Sequence, residues 1–256
     1  MSELRDEQRE RRRLRPGPII AVLAVLVLVL LGVVGVLGAN ALFGDDEPPP
    51  EGQQTSSSAP TSQKPVVRQD LHVVVGEGGS TTSDIDASVP VGYEPTCKGA
   101  VQAATNYLIG LDYTKATSGE LSQDEYVALT KELTTGDHQE AAVTSTQEML
   151  DQLGDTKSPR GSIRPDWGGF AVKECTEGQS ATVQIVHAYD YWGEGEYYYG
   201  VSSTSLTWAD GDWKISGTGR AEAPTALPEG PVTEPDDEVL TLVGTHTQWE
   251  NYEPAS

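Results

Sequence analysis

The side chains that could carry out catalysis are few and scattered. The chain of 256 residues holds four histidines, His72, His138, His187 and His246, at wide separations. It contains no H-E-x-x-H, C-x-x-C or G-x-S-x-G motif, the spacings at which histidine, cysteine or serine hold zinc or act as nucleophiles. We therefore expect no catalytic residue, no metal site and no cofactor, and we predict a protein that is not an enzyme.

An acidic stretch, Asp210-Gly211-Asp212, lies between Trp208 and Trp213 and raises the question of a cation site. A calcium loop needs about six to eight oxygen ligands and continues through further acids to a glutamate, which this stretch does not do. An Asp-Gly pair favours a tight β-hairpin turn, because both residues accept positive φ. The stretch therefore predicts a hairpin corner with Trp208 and Trp213 facing one another across two strands.

Strand signals surround this hairpin. Alternating apolar residues predict four strands at 169–175, 180–192, 197–208 and 212–219. Their connections centre on Glu177-Gly178, Glu194-Gly195 and Asp210-Gly211, which we read as two-residue hairpin loops. Antiparallel pairing then places one apolar set on a single face of the sheet. This set is Phe170, Val172, Val183, Ile185, Leu206, Trp208, Trp213 and Ile215.

Helical signals precede the strands, between residues 96 and 154. Thr96 is an N-cap candidate for the first helix, and Ser122 with Glu125 forms a capping box for the second. A third helix is predicted to begin with a capping box of Asp137 and Glu140 and to end at Gly154. Three helices followed by a four-stranded antiparallel meander predict an α+β domain, with the helices packed on one face of a curved sheet.

An apolar stretch from Ile19 to Leu37 is long enough to cross a bilayer as a helix. Arginines precede it and acids follow it, so the positive-inside rule places the N-terminus in the cytoplasm and the rest outside. The alternative is a cleaved signal peptide, because "ANA" at 39–41 fits a cleavage site. Both alternatives locate the folded part beyond the cytoplasm. We expect a single-pass protein of the cell membrane that contacts the bilayer through residues 18–38.

Composition divides the chain into segments. These are a cytoplasmic basic segment (1–17), a transmembrane helix (18–38), a disordered linker rich in proline, serine and acid (39–67), an arm of uncertain order (68–95), the α+β domain (96–220) and an acidic, proline-rich tail with an apolar segment (221–256). The tail holds too many apolar residues to be free, so it should dock on the domain or on a partner. The net charge of −22 excludes nucleic acid as a partner, because phosphate backbones would be repelled.

Two cysteines, Cys97 and Cys175, lie in a part of the chain assigned to an oxidising compartment. We predict a disulfide between them, the alternative being two unpaired thiols. The register places Cys175 on the face opposite Phe170 and Val172. The bond therefore requires the end of the sheet or a β-bulge near Thr176.

Polar and aromatic residues continue the apolar face of the sheet toward one end. The register puts His187, Tyr189, Tyr191, Tyr198, Ser202 and Thr204 there, as the lining of a possible pocket for a small apolar ligand. The alternative is a core histidine with tyrosines that close the end of the domain. On the opposite face, Trp192, Tyr197 and Tyr199 form a possible protein interface. The alternative there is coverage by the C-terminal tail.

The order of elements resembles the cone-shaped fold of nuclear transport factor 2 and the SnoaL-like proteins. The membrane-anchored arrangement is similar to that of inner-membrane scaffold subunits of type IV secretion machines. More narrowly, "GYEPTCKGAVQAATNYL" and "VSSTSLTWADGDWKI" resemble actinobacterial membrane proteins of integrative conjugative elements, over residues 92–218. The "LxWxDGDWK" hairpin occurs in many cone-fold proteins, so this resemblance supports the fold more than the role.

The resemblance implies a non-enzymatic scaffold component of a conjugative transfer apparatus, with other envelope or transfer proteins as partners and a homodimer as a further possibility. Two alternatives remain open. The first is a binder of small apolar ligands, or an isomerase-like enzyme, that uses a pocket around His187. The second is a partner of Mce-associated lipid transport.

Overall fold

A computed structural model describes residues 69–219, 221–224 and 226–255, all within one compact unit. Its helices are α1 Cys97–Gly110, α2 Thr114–Ser118, α3 Gln123–Leu133, α4 Gly136–Leu153 and α5 Asp237–Thr245. Its strands are β1 Thr81–Thr82, β2 Pro90–Val91, β3 Ser162–Thr176, β4 Ser180–Asp190, β5 Tyr198–Ala209, β6 Asp212–Gly219 and β7 Glu250–Asn251. The predicted α+β class is confirmed, but four helices and not three lie between residues 96 and 154, because the short α2 follows α1.

The main sheet is antiparallel throughout, in the order β6-β5-β4-β3-β7. The predicted four-stranded meander forms its body, and Phe170 lies opposite Ile185 as expected. The fifth strand, β7, comes from the C-terminal tail and pairs with the outer edge of β3. Within the described residues, the sheet is thus one strand wider than predicted.

The Asp210-Gly211 turn is confirmed. Both residues have positive φ, 53° and 80°, which is the conformation of the tight hairpin turn that Asp-Gly favours. Trp208 lies directly opposite Trp213, with ring centroids 5.5 Å apart. The neighbouring Asp212 is buried and has a structural role that the sequence did not reveal.

Asp212 connects the hairpin to two distant segments. Its Oδ1 accepts hydrogen bonds from the backbone N–H groups of Tyr93 (2.9 Å) and Trp213 (2.8 Å). Its Oδ2 accepts a hydrogen bond from the hydroxyl of Tyr107 on α1 (2.9 Å). The second acid of the stretch therefore satisfies buried donors of the arm and of α1, as buried polar groups require.

The connection between β4 and β5 differs from the prediction. It runs over residues 191–197 and is not a two-residue loop at Glu194-Gly195. The carboxylate of Asp190 accepts hydrogen bonds from the N–H groups of Trp192, Gly193 and Gly195 at 2.8 to 2.9 Å and holds this wider loop. Val183 consequently lies opposite Thr204, with Leu206 opposite Ala181. The apolar residues keep their face, because β-strand side chains repeat every two residues.

Two of the three predicted helix starts are confirmed. Thr96 caps α1 by accepting a hydrogen bond from the N–H of Gly99, and Ser122 and Glu125 form the expected capping box of α3. The capping box predicted at Asp137 is wrong, because α4 already begins at Gly136. The N–H of Thr135 is bound to the carbonyl of Ile215 at the edge of β6, which sets where this helix begins.

The disulfide between Cys97 and Cys175 is confirmed, with 5.9 Å between the Cα atoms. A register shift between Val172 and Glu174 leaves Lys173 as an extra residue in β3. Beyond this bulge, Cys175 pairs with Ala181 and so shares the face of Val183, toward α1. The bulge that the disulfide required is present, although it lies at Lys173 and not next to Thr176.

The inner face of the sheet packs against α1, α3, α4 and the arm in one hydrophobic core. The described part of the arm, whose order the sequence left uncertain, packs into this core, where Val73, Val89 and Tyr93 are fully buried. Asn106 of α1 holds it further by accepting a hydrogen bond from the N–H of Gly76 (2.9 Å).

The outer face is covered by the C-terminal tail. Val239 and Val243 of α5 pack with Trp249, Trp167 and Val186 in a second, smaller core. Tyr252 reaches the first core, where its hydroxyl bonds with that of Thr105 at 2.8 Å. Of the two alternatives for the tail, docking on its own domain is therefore what the structure shows.

No helix in residues 69–219, 221–224 and 226–255 combines the length and apolar character needed to cross a membrane. The predicted membrane span at 18–38, the basic segment and the linker lie outside the described residues.

Candidate functional site

Aromatic rings gather at the end of the sheet where β4 and β5 are joined. We call this group the aromatic rim; its members are Tyr113, Tyr189, Tyr191, Trp192 and Tyr198. Ring centroids are 4.5 Å apart for Tyr189 and Tyr191, 6.1 Å for Tyr189 and Tyr198, and 6.3 Å for Trp192 and Tyr198. These separations are typical of interacting aromatic pairs.

Three elements position the rim. Tyr189 and Tyr198 are directly opposite one another in the register of β4 and β5. Tyr191 and Trp192 belong to the loop that the buried carboxylate of Asp190 holds. Tyr113 comes from the turn between α1 and α2, and its ring lies 5.4 Å from that of Tyr191. The rim thus joins residues of the sheet and of the helical layer.

The hydroxyl groups of the rim distinguish it from the rest of the protein. Six of the ten tyrosines bond their hydroxyls to a protein atom, namely Tyr93, Tyr107, Tyr126, Tyr197, Tyr199 and Tyr252. The four rim tyrosines form no such bond with the part of the chain that the structure describes. Because their rings are only half-buried, these hydroxyls can reach solvent or a bound molecule.

Protonation and exposure also suit the rim to binding. Burial raises the pKa of Tyr189. Burial also raises the pKa of Tyr191, and the nearby phenol of Tyr189 raises it further. Both phenols therefore keep their protons and can donate hydrogen bonds. Trp192 is 48% exposed, the largest exposure of any large apolar residue in the described chain. An exposed tryptophan beside unbonded phenols is typical of a contact surface for another molecule.

His187 lies beside the rim but is poorly suited to catalysis. Its ring is buried 6.0 Å from that of Tyr189, and its Nδ1 is 3.4 Å from the carbonyl oxygen of Ile185. Burial lowers the pKa of His187 to about 4, and the carbonyl of Ile185 opposes this shift only weakly. No carboxylate bonds to this imidazole in the described residues, so nothing orients it as a general base.

The lowered pKa makes the stability of the fold depend on His187 and on pH. Between about pH 6.5 and pH 4 the unfolded chain binds a proton at this residue and the folded chain does not, so acidification favours unfolding. We expect the wild type to lose about 3 kcal/mol more than His187→Phe between pH 7 and pH 4. Urea unfolding at several pH values measures this difference; parallel pH profiles for the two proteins would contradict it.

The predicted pocket residues separate into two groups. Tyr189, Tyr191 and Tyr198 meet in the rim with His187 beneath them. Ser202 and Thr204 lie further along β5, opposite Ile185 and Val183, where the sheet faces the apolar core. Gly200 lies opposite His187, and a Cβ there would come within 3.1 Å of the Tyr189 ring, so glycine allows the rings to approach the strand.

The three residues of the predicted outer interface also separate. Trp192 contacts Tyr191 and Tyr198 and belongs to the rim. The expectation that Tyr197 and Tyr199 are exposed is corrected. The backbone of Tyr197 is paired with Val232, and the hydroxyl of Tyr199 accepts a hydrogen bond from the N–H of Asp236 (3.0 Å). The chain's own tail therefore covers both tyrosines.

Sequence reasoning missed Tyr113 and the charges beneath it. Arg160 forms an ion pair with the buried Asp112 and another, of 2.7 Å, with Glu120. Lys115 of α2 is buried in an ion pair with Asp86 of the arm. No sequence periodicity marks these residues, because each pair joins segments that are far apart in the chain. Of these charged groups, the buried carboxylate of Asp112 is the one next to Tyr113 in the chain.

Acidic residues surround the rim on its solvent side. Glu194 and Glu196 are exposed in the same loop as Trp192. The described residues contain no group of three or more histidine, cysteine or acidic side chains that could hold a metal ion. The arrangement offers aromatic faces, phenol donors and negative charge, which are means of binding.

Comparison with known proteins identifies a family. The family described as "Domain of unknown function (DUF8175)" matches residues 45–235, which include the whole rim. The chain belongs to this family. The match ends before α5, which covers the outer face of the sheet. No curated protein and no solved structure is significantly similar to the chain.

Proposed function

We propose that this protein is a non-enzymatic, membrane-anchored assembly component whose extracytoplasmic domain binds other envelope proteins through the aromatic rim. The main observation behind the proposal is that the tyrosines differ in whether their hydroxyl groups are bonded within the domain. Six hydroxyls are bonded within the domain, whereas the four beside the exposed Trp192 are left for another molecule. Because these four phenols are half-buried next to the exposed tryptophan, a bound molecule can accept their hydrogen bonds in place of water.

The proposed setting of this domain rests on the sequence-based prediction that an apolar segment at 18–38 anchors the chain and that residues 39–67 connect this segment to the domain. A disulfide between Cys97 and Cys175 supports an oxidising location outside the cytoplasm. The finer architecture that we propose is the cone-like fold of nuclear transport factor 2 and the SnoaL-like proteins, with the rim at its wide end.

The apparatus that we propose is a conjugative transfer machine, in line with the resemblance to proteins of integrative conjugative elements. A small-ligand binder or isomerase has less support, because His187 is buried and weakly basic and no carboxylate among the described residues bonds to it. A role in Mce-associated lipid transport would use the same membrane topology, so only the identity of the partner protein distinguishes it from the conjugative role.

Site-specific photo-crosslinking in the native host tests the proposal. A photoreactive phenylalanine at Trp192 is expected to crosslink to an envelope protein that is encoded with the transfer genes. The same group at Leu242, an exposed apolar residue on α5, is the matched control and is expected to give no such product. We expect Trp192→Ala to lower the frequency of conjugative transfer at least about ten-fold at unchanged protein level, since exposed tryptophans dominate many interfaces.

Two results would overturn the proposal. The first is equal crosslinking at Trp192 and Leu242, which would show that the rim is not a specific surface. The second is normal transfer by Trp192→Ala. A crosslinked partner from a lipid-transport system would keep the binding role and replace the conjugative assignment with the Mce-associated one.

A further inference from the structure

We infer that the partner protein supplies an extended, basic segment that pairs as an additional strand with an unpaired length of β5 beside the aromatic rim. This inference rests on the proposed function and specifies how the partner binds. We call the unpaired length, residues 198–202, the β5 slot. In strand addition, main-chain hydrogen bonds supply affinity and alternate side chains supply specificity.

The β5 slot lies between two paired positions of the strand. Ser203 pairs with Gly219, the last residue of β6. Tyr197 pairs with Val232 through two backbone hydrogen bonds of 2.8 Å. Between these pairs, the slot is bonded to β4 on one side and has no ladder partner on the other side in the described chain. β5 therefore has an open edge within the sheet.

The backbone groups that face this edge follow from the alternation of a β-strand. The N–H of Trp208 is bonded to the carbonyl of Gln179, next to β4 (2.9 Å), so even-numbered residues of β5 point to β4 along their unbroken ladder. The N–H and C=O groups of Tyr199 and Val201 therefore point to the open edge, and they bond to no other described residue. Residues 200–202 are partly exposed, so solvent reaches this part of the strand.

The connection that follows β6 is poorly suited to fill the slot itself. Its described residues, 221–224 and 226–231, form no ladder with β5. Three residues of this connection lack the N–H group that a strand partner donates; they are Pro224, Pro228 and Pro231. The backbone groups of the slot are therefore available to another segment.

The rim supplies side-chain contacts for such a segment. Residues paired across two strands share a face, so a residue opposite Gly200 would lie on the face that carries Tyr198. The ring of Tyr189 lies over Gly200, 3.1 Å from the position that a Cβ would take. We expect an apolar residue at the centre of the added strand, where it packs against these rings.

Charge favours a basic segment over a second copy of the chain. Glu196 is exposed directly before the pair that borders the slot, and Glu222 and Glu229 are exposed in the connection after β6. With a net charge of −22, two copies that paired through this edge would repel one another. Lysine or arginine at the ends of the added segment would pair with the acids, and the affinity should fall as the salt concentration rises.

Hydrogen exchange resolved by residue tests the inference on the full-length chain in detergent micelles. The probe is the peptide Lys-Val-Thr-Phe-Thr-Val-Lys. In the free protein, we expect the amides of Tyr199 and Val201 to exchange at least about ten-fold faster than those of Gly200 and Ser202, which point to β4. Saturating peptide is expected to slow Tyr199 and Val201 at least about ten-fold and to leave Gly200 and Ser202 unchanged.

Two N-methylated forms of the peptide separate strand pairing from side-chain contact. With phenylalanine opposite Gly200, the two threonine amides face β5 and the two valine amides face away. Methylation of the threonine amides is expected to weaken binding at least about ten-fold, and methylation of the valine amides less than about three-fold. Fluorescence anisotropy of labelled peptides measures both affinities. This comparison needs no change in the protein.

A variant pair removes one donor of the slot. Val201→Pro eliminates an N–H that points away from β4 and is expected to weaken peptide binding at least about ten-fold. Val201→Thr keeps this N–H and is expected to weaken binding less than about three-fold. Thermal unfolding of both variants shows whether the proline is accommodated, and the methylated peptides decide the matter if it is not.

Several outcomes would overturn the inference. Equal effects of the two methylated peptides, or no binding of the parent peptide, would show that the main chain of β5 does not accept a strand. Slow exchange of Tyr199 and Val201 in the free chain would show that the slot is already filled. Its occupant would be the chain's own linker if the protection persists on dilution, and a second copy if dilution removes it.

The failure of this inference is distinguishable from the failure of the proposed function. If crosslinking at Trp192 captures a transfer protein but the peptide leaves Tyr199 and Val201 unprotected, the partner uses the rim without strand pairing and only this inference is wrong. If neither experiment succeeds, the rim is not a docking surface and both proposals fall.

Discussion

Replacing Cys97 and Cys175 with serine is expected to lower the free energy of unfolding by roughly 4 kcal/mol. The bridge joins the start of α1 to the end of β3 across 78 positions of sequence, and a loop of that size restricts the unfolded chain strongly. Since a domain is stable by only about 5 to 15 kcal/mol, the loss is a large part of the total. Urea unfolding of the double variant and the wild type measures it.

A reducing agent provides the control for this prediction. It is expected to bring the urea midpoint of the wild type down to that of the double serine variant and to leave the variant unchanged. Because the described chain contains no other cysteine, reduction acts on this bond alone. A wild-type midpoint that does not respond to the reducing agent, once mass spectrometry shows the thiols to be free, would contradict the assigned contribution.

Lys115→Met is expected to destabilise the protein by about 3 to 5 kcal/mol. The ammonium group of Lys115 is buried with the carboxylate of Asp86 and donates a hydrogen bond of 2.9 Å to the hydroxyl of Ser88. Burial alone would raise the pKa of Asp86, but the hydrogen bonds from Lys115 and Ser88 outweigh it and lower this pKa. Without Lys115, the carboxylate would remain buried without its counter-charge.

A double-mutant cycle separates the ion pair from general effects of substitution. Asp86→Asn in the Lys115→Met background is expected to regain part of the lost free energy of unfolding, because no unpaired charge then remains. Lys131→Met, on the exposed surface of α3, is the matched control and is expected to change stability by less than about 0.5 kcal/mol. Equal losses at Lys115 and Lys131 would refute the role of the buried pair.

The candidate site was predictable in part. Strand alternation put Tyr189 and Tyr198 on one face, and the structure places their rings together. The same alternation assigned Trp192 to the opposite face, but the residue lies in a loop beyond the end of β4, where the two-residue repeat no longer holds, and its ring meets Tyr191 and Tyr198. Tyr113 carried no signal at all, since it meets Tyr191 only through the packing of helices on the sheet. Which phenols are left unbonded depends on the same packing.

The sequence by itself determined the elements whose causes are local. The caps at Thr96 and Ser122 and the turn at Asp210-Gly211 each depend on residues within a few positions, and all three are confirmed. Tertiary structure decided the rest. The wide loop after β4 follows from the buried carboxylate of Asp190, and the start of α4 from a bond between Thr135 and the edge of β6. The coverage of the outer face by α5 was decided in the same way, because burial of a surface depends on segments that are distant in the chain.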